Sequence, residues 1–242
     1  MKMMQLLKSL PEALLPRLCP VCGGGLVQGE RAICVSCLAM LPRTRMHLDP
    51  DNSIVARLAS PGLRLQLAAA WMDYRRDSPY ASIVRHAKYG HMPRLAREAG
   101  RMFALEVMAD CPGALDGIDV LLPVPLHWRR LLRRGYNQSD EIARGISEAT
   151  GIPVGDNLRA SRTHRSQTRS TPDERRRNVA GIARVRYPEE LAGLHVAVVD
   201  DVITTGATMA DALHALTTQA SPRALSVLAL AAVRADSWQM ED

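Results

Sequence analysis

The stretch Val196-Ala197-Val198-Val199-Asp200-Asp201-Val202-Ile203-Thr204-Thr205-Gly206-Ala207-Thr208 decides how the chain is read. It opens on a continuous β-branched apolar run, the pattern of a strand buried on both faces. Two adjacent carboxylates then stand at the carboxyl end of that strand, and a loop of small hydroxyl residues and glycine follows. Residues 209–216 have the spacing of a helix. In an open α/β sheet, ligands bind in the crevice at the carboxyl ends of the strands. Backbone N–H groups in such a loop and at a helix start can cradle a phosphate, and Gly206 has no Cβ to obstruct a close approach. Asp200 and Asp201 do not attract a phosphate. As acceptors they suit vicinal hydroxyls such as those of a ribose. One segment therefore offers acceptors for sugar hydroxyls and donors for a 5′-phosphate. It lacks the Gly-x-x-x-x-Gly-Lys-Ser/Thr pattern of a P-loop.

A second signal lies near the N-terminus. Cys19-Pro20-Val21-Cys22 and Cys34-Val35-Ser36-Cys37 are two Cys-x-x-Cys knuckles, and Gly23, Gly24 and Gly25 follow the first. Such pairs can place four thiolates around a tetrahedral zinc ion. Disulfides are the competing reading, disfavoured where thiols are kept reduced. A redox Cys-x-x-Cys is a further alternative, against which the duplication at this spacing argues. Four Cys ligands leave no open position for water, so the site is expected to be structural. About forty residues cannot build a core alone, and metal ligation would supply the missing folding energy. Cys111 stands apart as a buried or incidental thiol.

The chain has 242 residues, 47% apolar and 23% charged, enough for one α/β core and a small appendage. A net charge of +6 favours anionic partners. With one Phe and three Trp, composition does not favour an aromatic platform for stacking bases. Arginine is concentrated at Arg129, Arg130, Arg133 and Arg134, and again over residues 159–177. A solvated face accounts for most charge runs. Pro11 and Pro16 interrupt any apolar run near the start, so neither a signal peptide nor a membrane span is expected, and a cytoplasmic location follows.

Between the two signals, residues 42–62 read as a linker. Residues 63–74 begin with an alternation of leucine and polar residues, as in a half-buried strand. Residues 78–88 read as a helix, and Pro93 opens another to residue 108. Residues 119–122 read as a strand ended by Pro123. A helix over 139–150 stops at Gly151. Thr171-Pro172-Asp173-Glu174 is a capping box that starts a short helix. A last strand is expected over 225–233. Strands alternating with helices imply a mostly parallel sheet.

The segment around Asp200 and Asp201 resembles the phosphoribosyl-pyrophosphate (PRPP) motif of type I phosphoribosyltransferases. Lys88-Tyr89-Gly90, Pro123-Val124-Pro125-Leu126-His127, Arg134-Gly135-Tyr136-Asn137-Gln138, and Gln167 with Arg177-Asn178-Val179 precede it in order. With the Cys knuckles, this pattern is similar to the ComF family, which is associated with natural competence and DNA uptake. Ile182 departs from it, standing where an aromatic residue is expected. The resemblance implies an α/β fold with a mostly parallel sheet of the type I phosphoribosyltransferase kind over residues 63–235. A small four-cysteine zinc finger would occupy residues 1–45.

It further implies Mg-dependent phosphoribosyl transfer, a pentosyl transfer, to an unidentified acceptor. Asp200 and Asp201 would hold the ribose, directly or through the ion. Thr204, Thr205, Gly206, Ala207 and Thr208 would hold the 5′-phosphate, and Lys88 and Arg134 would stand near the diphosphate. Purine-salvage enzymes of the wider superfamily usually carry an acidic residue where this chain has Thr204, so purine salvage is disfavoured. His127 and His164 lie near the motifs but are assigned no catalytic role. The alternative is a non-catalytic, single-stranded-DNA-binding competence protein that uses the pocket for a regulatory ligand. The zinc finger and Arg162, Arg165, Arg169, Arg175, Arg176 and Arg177 would then meet the DNA, and competence-machinery proteins are expected partners.

Overall fold

A computed structural model describes residues 17–90, 92–160 and 183–233. The expectations for the N-terminal segment, for the capping box, for Gln167, Asn178, Val179 and Ile182, for His164, and for the arginines from Arg162 to Arg177 lie outside the described residues.

A short helix, α1 (Val35–Ala39), precedes the sheet. Strands β1 (Leu65–Asp73), β2 (Val120–Pro123), β5 (His195–Ile203) and β6 (Ala224–Ala232) form one sheet in the order β1-β6-β5-β2. Every pairing in it is parallel. The α/β expectation is met. The run of apolar residues in β5 explains its place inside the sheet: Val196, Ala197, Val198 and Val199 are fully buried because both faces of the sheet are covered. On one face lie α3 (Ala81–Tyr89), α4 (Pro93–Asp110) and α6 (Gln138–Thr150), with Ile83, Phe103 and Ile142 packed on Ala197 and Val199. On the other lie α2 (Ser53–Leu58) and α7 (Ala207–Gln219), with Ile54 and Leu213 packed among Val196, Val198 and Val227. A second, antiparallel pair joins β3 (Leu158–Ala160) to β4 (Ala183–Val185).

Pro123 continues β2 by one residue more than expected, paired with Val199. Leu121 N donates to Pro153 O, on the side of β2 away from β5. Two residues on, Pro123 lacks only an N–H that would point the same way, off the sheet edge.

Two expectations are corrected. Residues 42–62 are not a bare linker. Thr44 N donates to Trp71 O and Asp73 N to Pro42 O, so this segment lines the free edge of β1. It then forms a 3-10 turn at Met46–Leu48 and the helix α2. Asn52 caps α2, accepting from Ile54 N, while its amide donates to the carbonyls of Met46, Asp49 and Ala68. Asn52 thereby fastens the stretch to β1, and Thr44 Oγ1 does so too by donating to Ala70 O. The second correction concerns β1. It alternates only at Leu65, Gln66 and Leu67, and from Ala68 to Met72 it is wholly buried. The segment along its edge and α2 across its face exclude the water that alternation implied.

Helices α4 and α6 touch backbone to backbone. A Cβ on Gly145 would stand 1.8 Å from Arg97 O, and one on Gly100 would stand 2.3 Å from Ile142 O. Glycine at both positions allows this approach, which brings the start of α6 to the carboxyl end of β5.

Candidate functional site

Asp200 and Asp201 sit near the carboxyl end of β5, and the loop of residues 204–206 leads into α7. Gly206 caps α7 in a left-handed conformation (φ 77°), which an L side chain resists. Its missing Cβ would meet Leu58 and the stem of Arg57, 3.1 Å and 3.3 Å away. Packing of α2 beneath the loop, together with φ, therefore explains this glycine. Thr205 Oγ1 accepts from Ala207 N at 3.4 Å, and Thr204, Thr205 and Thr208 are exposed.

Arg57 is the residue that sequence reasoning missed. Its Nη1 donates to Thr204 O at 2.5 Å and lies 3.5 Å from Ile203 O, and its Nη2 donates to Val233 O at 2.7 Å. The planar fork of a guanidinium suits several carbonyls at once. Burial pulls its pKa down. Nothing in the sequence signals this role, because Arg57 lies in the stretch that reads as a linker.

Lys88, from the last turn of α3, places Nζ 3.1 Å from Asp201 Oδ1. Asp200 Oδ1 accepts from Ser139 Oγ at 3.0 Å and from Asp201 N at 2.8 Å. Burial of its carboxyl, and then the charge on Asp201, push Asp200 up to about 7, against the pull of those hydrogen bonds and of Lys88. Residues from α3, α6 and β5 thus converge on the pair. Ser139 is a second missed residue, although its place directly after Arg134-Gly135-Tyr136-Asn137-Gln138 could have marked it.

Arg134 ends α5 (Trp128–Arg134), a helix not foreseen from the sequence, which Gly135 stops at φ 79°. The guanidinium carbon of Arg134 lies 4.9 Å from the Tyr89 ring centroid, a cation–π contact. Arg134 thus packs against α3, the helix that also carries Lys88. Tyr136 Oη donates to Ala87 O and Asn137 Nδ2 donates to Val124 O, which hold the turn between α5 and α6 in place. Two buried donors here, Arg134 Nε and Gln138 Nε2, have no hydrogen-bond partner among the described residues. His127 serves as the cap of α5, with Nδ1 accepting from Arg129 N.

The four knuckle cysteines converge separately. The Sγ atoms of Cys19, Cys22, Cys34 and Cys37 all lie within 4.8 Å of one another, and a metal ion could be held there. Cys22 Sγ and Cys34 Sγ are 3.8 Å apart, close to the ~3.8 Å edge of a tetrahedron built on ~2.3 Å Zn–S bonds. All four are free thiols. Burial would raise Cys19, but N–H groups of Cys34, Cys22 and Val21 outweigh it and bring that thiol down to about 7. Gly23, at φ 74°, turns the first knuckle, with Gly23 N donating to Cys19 O. Glu30 accepts from Val27 N and Val35 N and so ties the two knuckles together. Cys111 caps α4 instead. Among the described residues, no helix is long and apolar enough to cross a membrane.

The chain is 32% identical over 209 residues to the DNA utilization protein YhgH of Salmonella typhimurium, covering 81% of this chain and 88% of that protein. It is 31% identical over 134 residues to competence protein F of Haemophilus influenzae, covering 54% of this chain and 58% of that protein. The chain belongs to the ComF family. No family model matches it. Among solved structures it is similar to glutamine PRPP amidotransferase from B. subtilis, at 23% identity and a TM-score of 0.39 over 58% of this chain. The chain spans 26% of that enzyme's length, and the likeness is too slight to argue from. In this ComF-family chain the carboxylate pair of β5 and the hydroxyl loop before α7 stand side by side.

Proposed function

We propose that the chain is a PRPP-binding, phosphoribosyltransferase-like protein that serves DNA utilization, moving a phosphoribosyl group onto an acceptor yet to be identified. The observation that carries this reading is the carboxylate pair at the end of β5, set against the exposed hydroxyl loop at the start of α7. The DNA context comes from the names of the YhgH and competence protein F relatives.

In this reading, Asp200 and Asp201 accept hydrogen bonds from the ribose hydroxyls. The hydroxyls of Thr204, Thr205 and Thr208 and the first N–H groups of α7 cradle the 5′-phosphate. Arg134 and Gln138 direct their unpaired buried donors to the diphosphate, with Lys88 beside them. The bond from C1 to the diphosphate breaks as the acceptor attacks, and these residues position the sugar and receive the departing charge. The donor set also fits magnesium: both carboxylates supply hard oxygens, and Oδ2 of each has no hydrogen-bond partner among the described residues. When bound, magnesium would neutralise the diphosphate. At the knuckles, Cys19, Cys22, Cys34 and Cys37 would hold a structural zinc ion.

One observation favours a regulatory pocket without turnover. Lys88 already neutralises Asp201, the carboxylate a ribose would use. Calorimetry with PRPP and magnesium tests the site itself. Wild type should bind, and both Asp201→Ala and Gly206→Val should weaken binding at least tenfold. Equal affinity in all three would place the ligand elsewhere. Pyrophosphate release from PRPP, measured against nucleobases, amines and single-stranded DNA, then separates the transferase from the regulatory pocket.

A further inference from the structure

Helix α5 reads Trp-Arg-Arg-Leu-Leu-Arg-Arg, and six consecutive residues, 128–133, are exposed. Leu132 is 76% exposed and Trp128 48%. The helix is nevertheless anchored at both ends. His127 caps its start, and at its other end Arg134 is buried against Tyr89. Arg129, Arg130 and Arg133 form no ion pair among the described residues, and no Asp or Glu occurs between Asp119 and Asp140. The guanidinium of Arg129 lies 5.3 Å from the Trp128 ring centroid. A fixed helix thus displays apolar surface together with positive charge that no carboxylate among the described residues neutralises, and such a surface calls for a partner. Its last residue, Arg134, also lies within 3.4 Å of Tyr89 Oη, so α5 packs against α3, the helix whose Lys88 pairs with Asp201.

We propose that α5 is a docking surface for single-stranded DNA, with Trp128 stacking on a base and Arg129, Arg130 and Arg133 on the phosphates. The inference rests on the DNA-utilization reading and names the surface that serves it. Charge complementarity selects a polyanion. The aromatic ring selects unpaired bases, because a duplex buries the base faces that a ring stacks on. Stacking on a ring tolerates any base, because every base has a π-face, so with the arginines on phosphates the sequence preference should be slight. A strand on α5 would also pass beside α3, which carries Lys88, the partner of Asp201. Scarcity of aromatic residues argued against a stacking platform, but one exposed ring on a basic helix is sufficient.

The test is fluorescence anisotropy of a labelled oligothymidylate with the full chain, across a salt series. Wild type should bind, with log affinity falling as log salt rises. The combined variant Arg129→Ala, Arg130→Ala and Arg133→Ala should lose at least tenfold in affinity at low salt. Its slope should be shallower by about 2, from three contacts at about 0.7 each. Trp128→Ala should lose about tenfold at an unchanged slope, and Trp128→Phe should recover most of it. Thermal melts and PRPP affinity should match wild type, because these side chains lie outside the core and the pocket. If the combined variant melts early, Arg133→Ala alone should still flatten the slope by about 0.7. Wild-type DNA affinity in every variant would overturn the inference while leaving the DNA reading intact. Failure of wild type to bind DNA at any salt would overturn both. Binding of wild type to phosphatidylglycerol vesicles but not to DNA, lost in the combined variant, would assign α5 to lipid and overturn the inference.

Discussion

Arg57 and Asp200 show how single side chains set the candidate site. Arg57 joins the loop before α7 to the end of β6 through Thr204 O and Val233 O. Hydrogen bonds from a charged donor contribute roughly 1.5–3 kcal/mol. Arg57→Ala is therefore expected to lower stability by about 2 kcal/mol and PRPP affinity at least tenfold, with Arg57→Lys intermediate. Urea denaturation and calorimetry read the two effects, and unchanged affinity in the alanine variant would remove Arg57 from the site. Asp200 makes a prediction about pH. Its folded-state value near 7 lies above the ~3.9 of an unfolded aspartate, so the native state holds a proton that the unfolded chain has released. Its contribution to stability therefore falls as pH rises from about 4 to about 7. Asp200→Asn removes that dependence, so the variant should gain on wild type as pH climbs from 5 to 8. Denaturation midpoints at several pH values provide the measurement, and a constant difference between the two proteins would contradict the assignment.

Helix-to-helix contact is the decisive feature at the scale of elements. Gly100 and Gly145 let α4 and α6 meet at backbone distance, and Ser139 on α6 then reaches Asp200. Gly145→Ala would put a methyl 1.8 Å from Arg97 O, a clash with backbone that no rotamer relieves. Overpacking a core typically costs about 1–3 kcal/mol, and a backbone obstacle belongs at the upper end. The variant should lose about 3 kcal/mol in chemical denaturation. A control away from that contact, Ala210→Gly on the exposed face of α7, should lose only about 1 kcal/mol. Equal losses would mean that the helices can part freely. The periodicity of α4 and α6 marks them as helices, but their close approach follows from two glycines whose partners lie more than forty residues away in the chain.

Across the whole molecule, the cysteine cluster is not a separate bead. Cys19, Ile33 and Leu41 belong to the same buried cluster as Trp71, Ile83 and Phe103, and Tyr80 Oη donates to Cys37 O. Structural zinc in finger peptides contributes on the order of 10 kcal/mol. Because the core is shared, Cys34→Ser should release zinc and lower the melting temperature of the whole molecule in one transition. Metal analysis together with calorimetric scanning would check this. Zinc-free wild-type protein, or a sheet domain melting at its original temperature in the variant, would contradict it.

The sequence by itself determined the parallel sheet, the four-cysteine cluster and the carboxylate-and-hydroxyl crest of β5. Each is local: a β-branched run, two knuckles, and a strand, loop and helix in direct succession. Lys88 and Arg134 were singled out through resemblance; that Lys88 reaches Asp201 and Arg134 packs on Tyr89 follows from the packing of α3 and α5. Tertiary structure alone decided the parts played by residues 42–62, by Arg57 and by Ser139. Arg57 is one exposed-looking cation in an aperiodic stretch until α2 lies beneath the loop, 146 residues from Ile203 along the chain. Composition and spacing report what a segment can bury. They do not report which distant carbonyl will need its donor, because that need arises only when the chain has closed on itself.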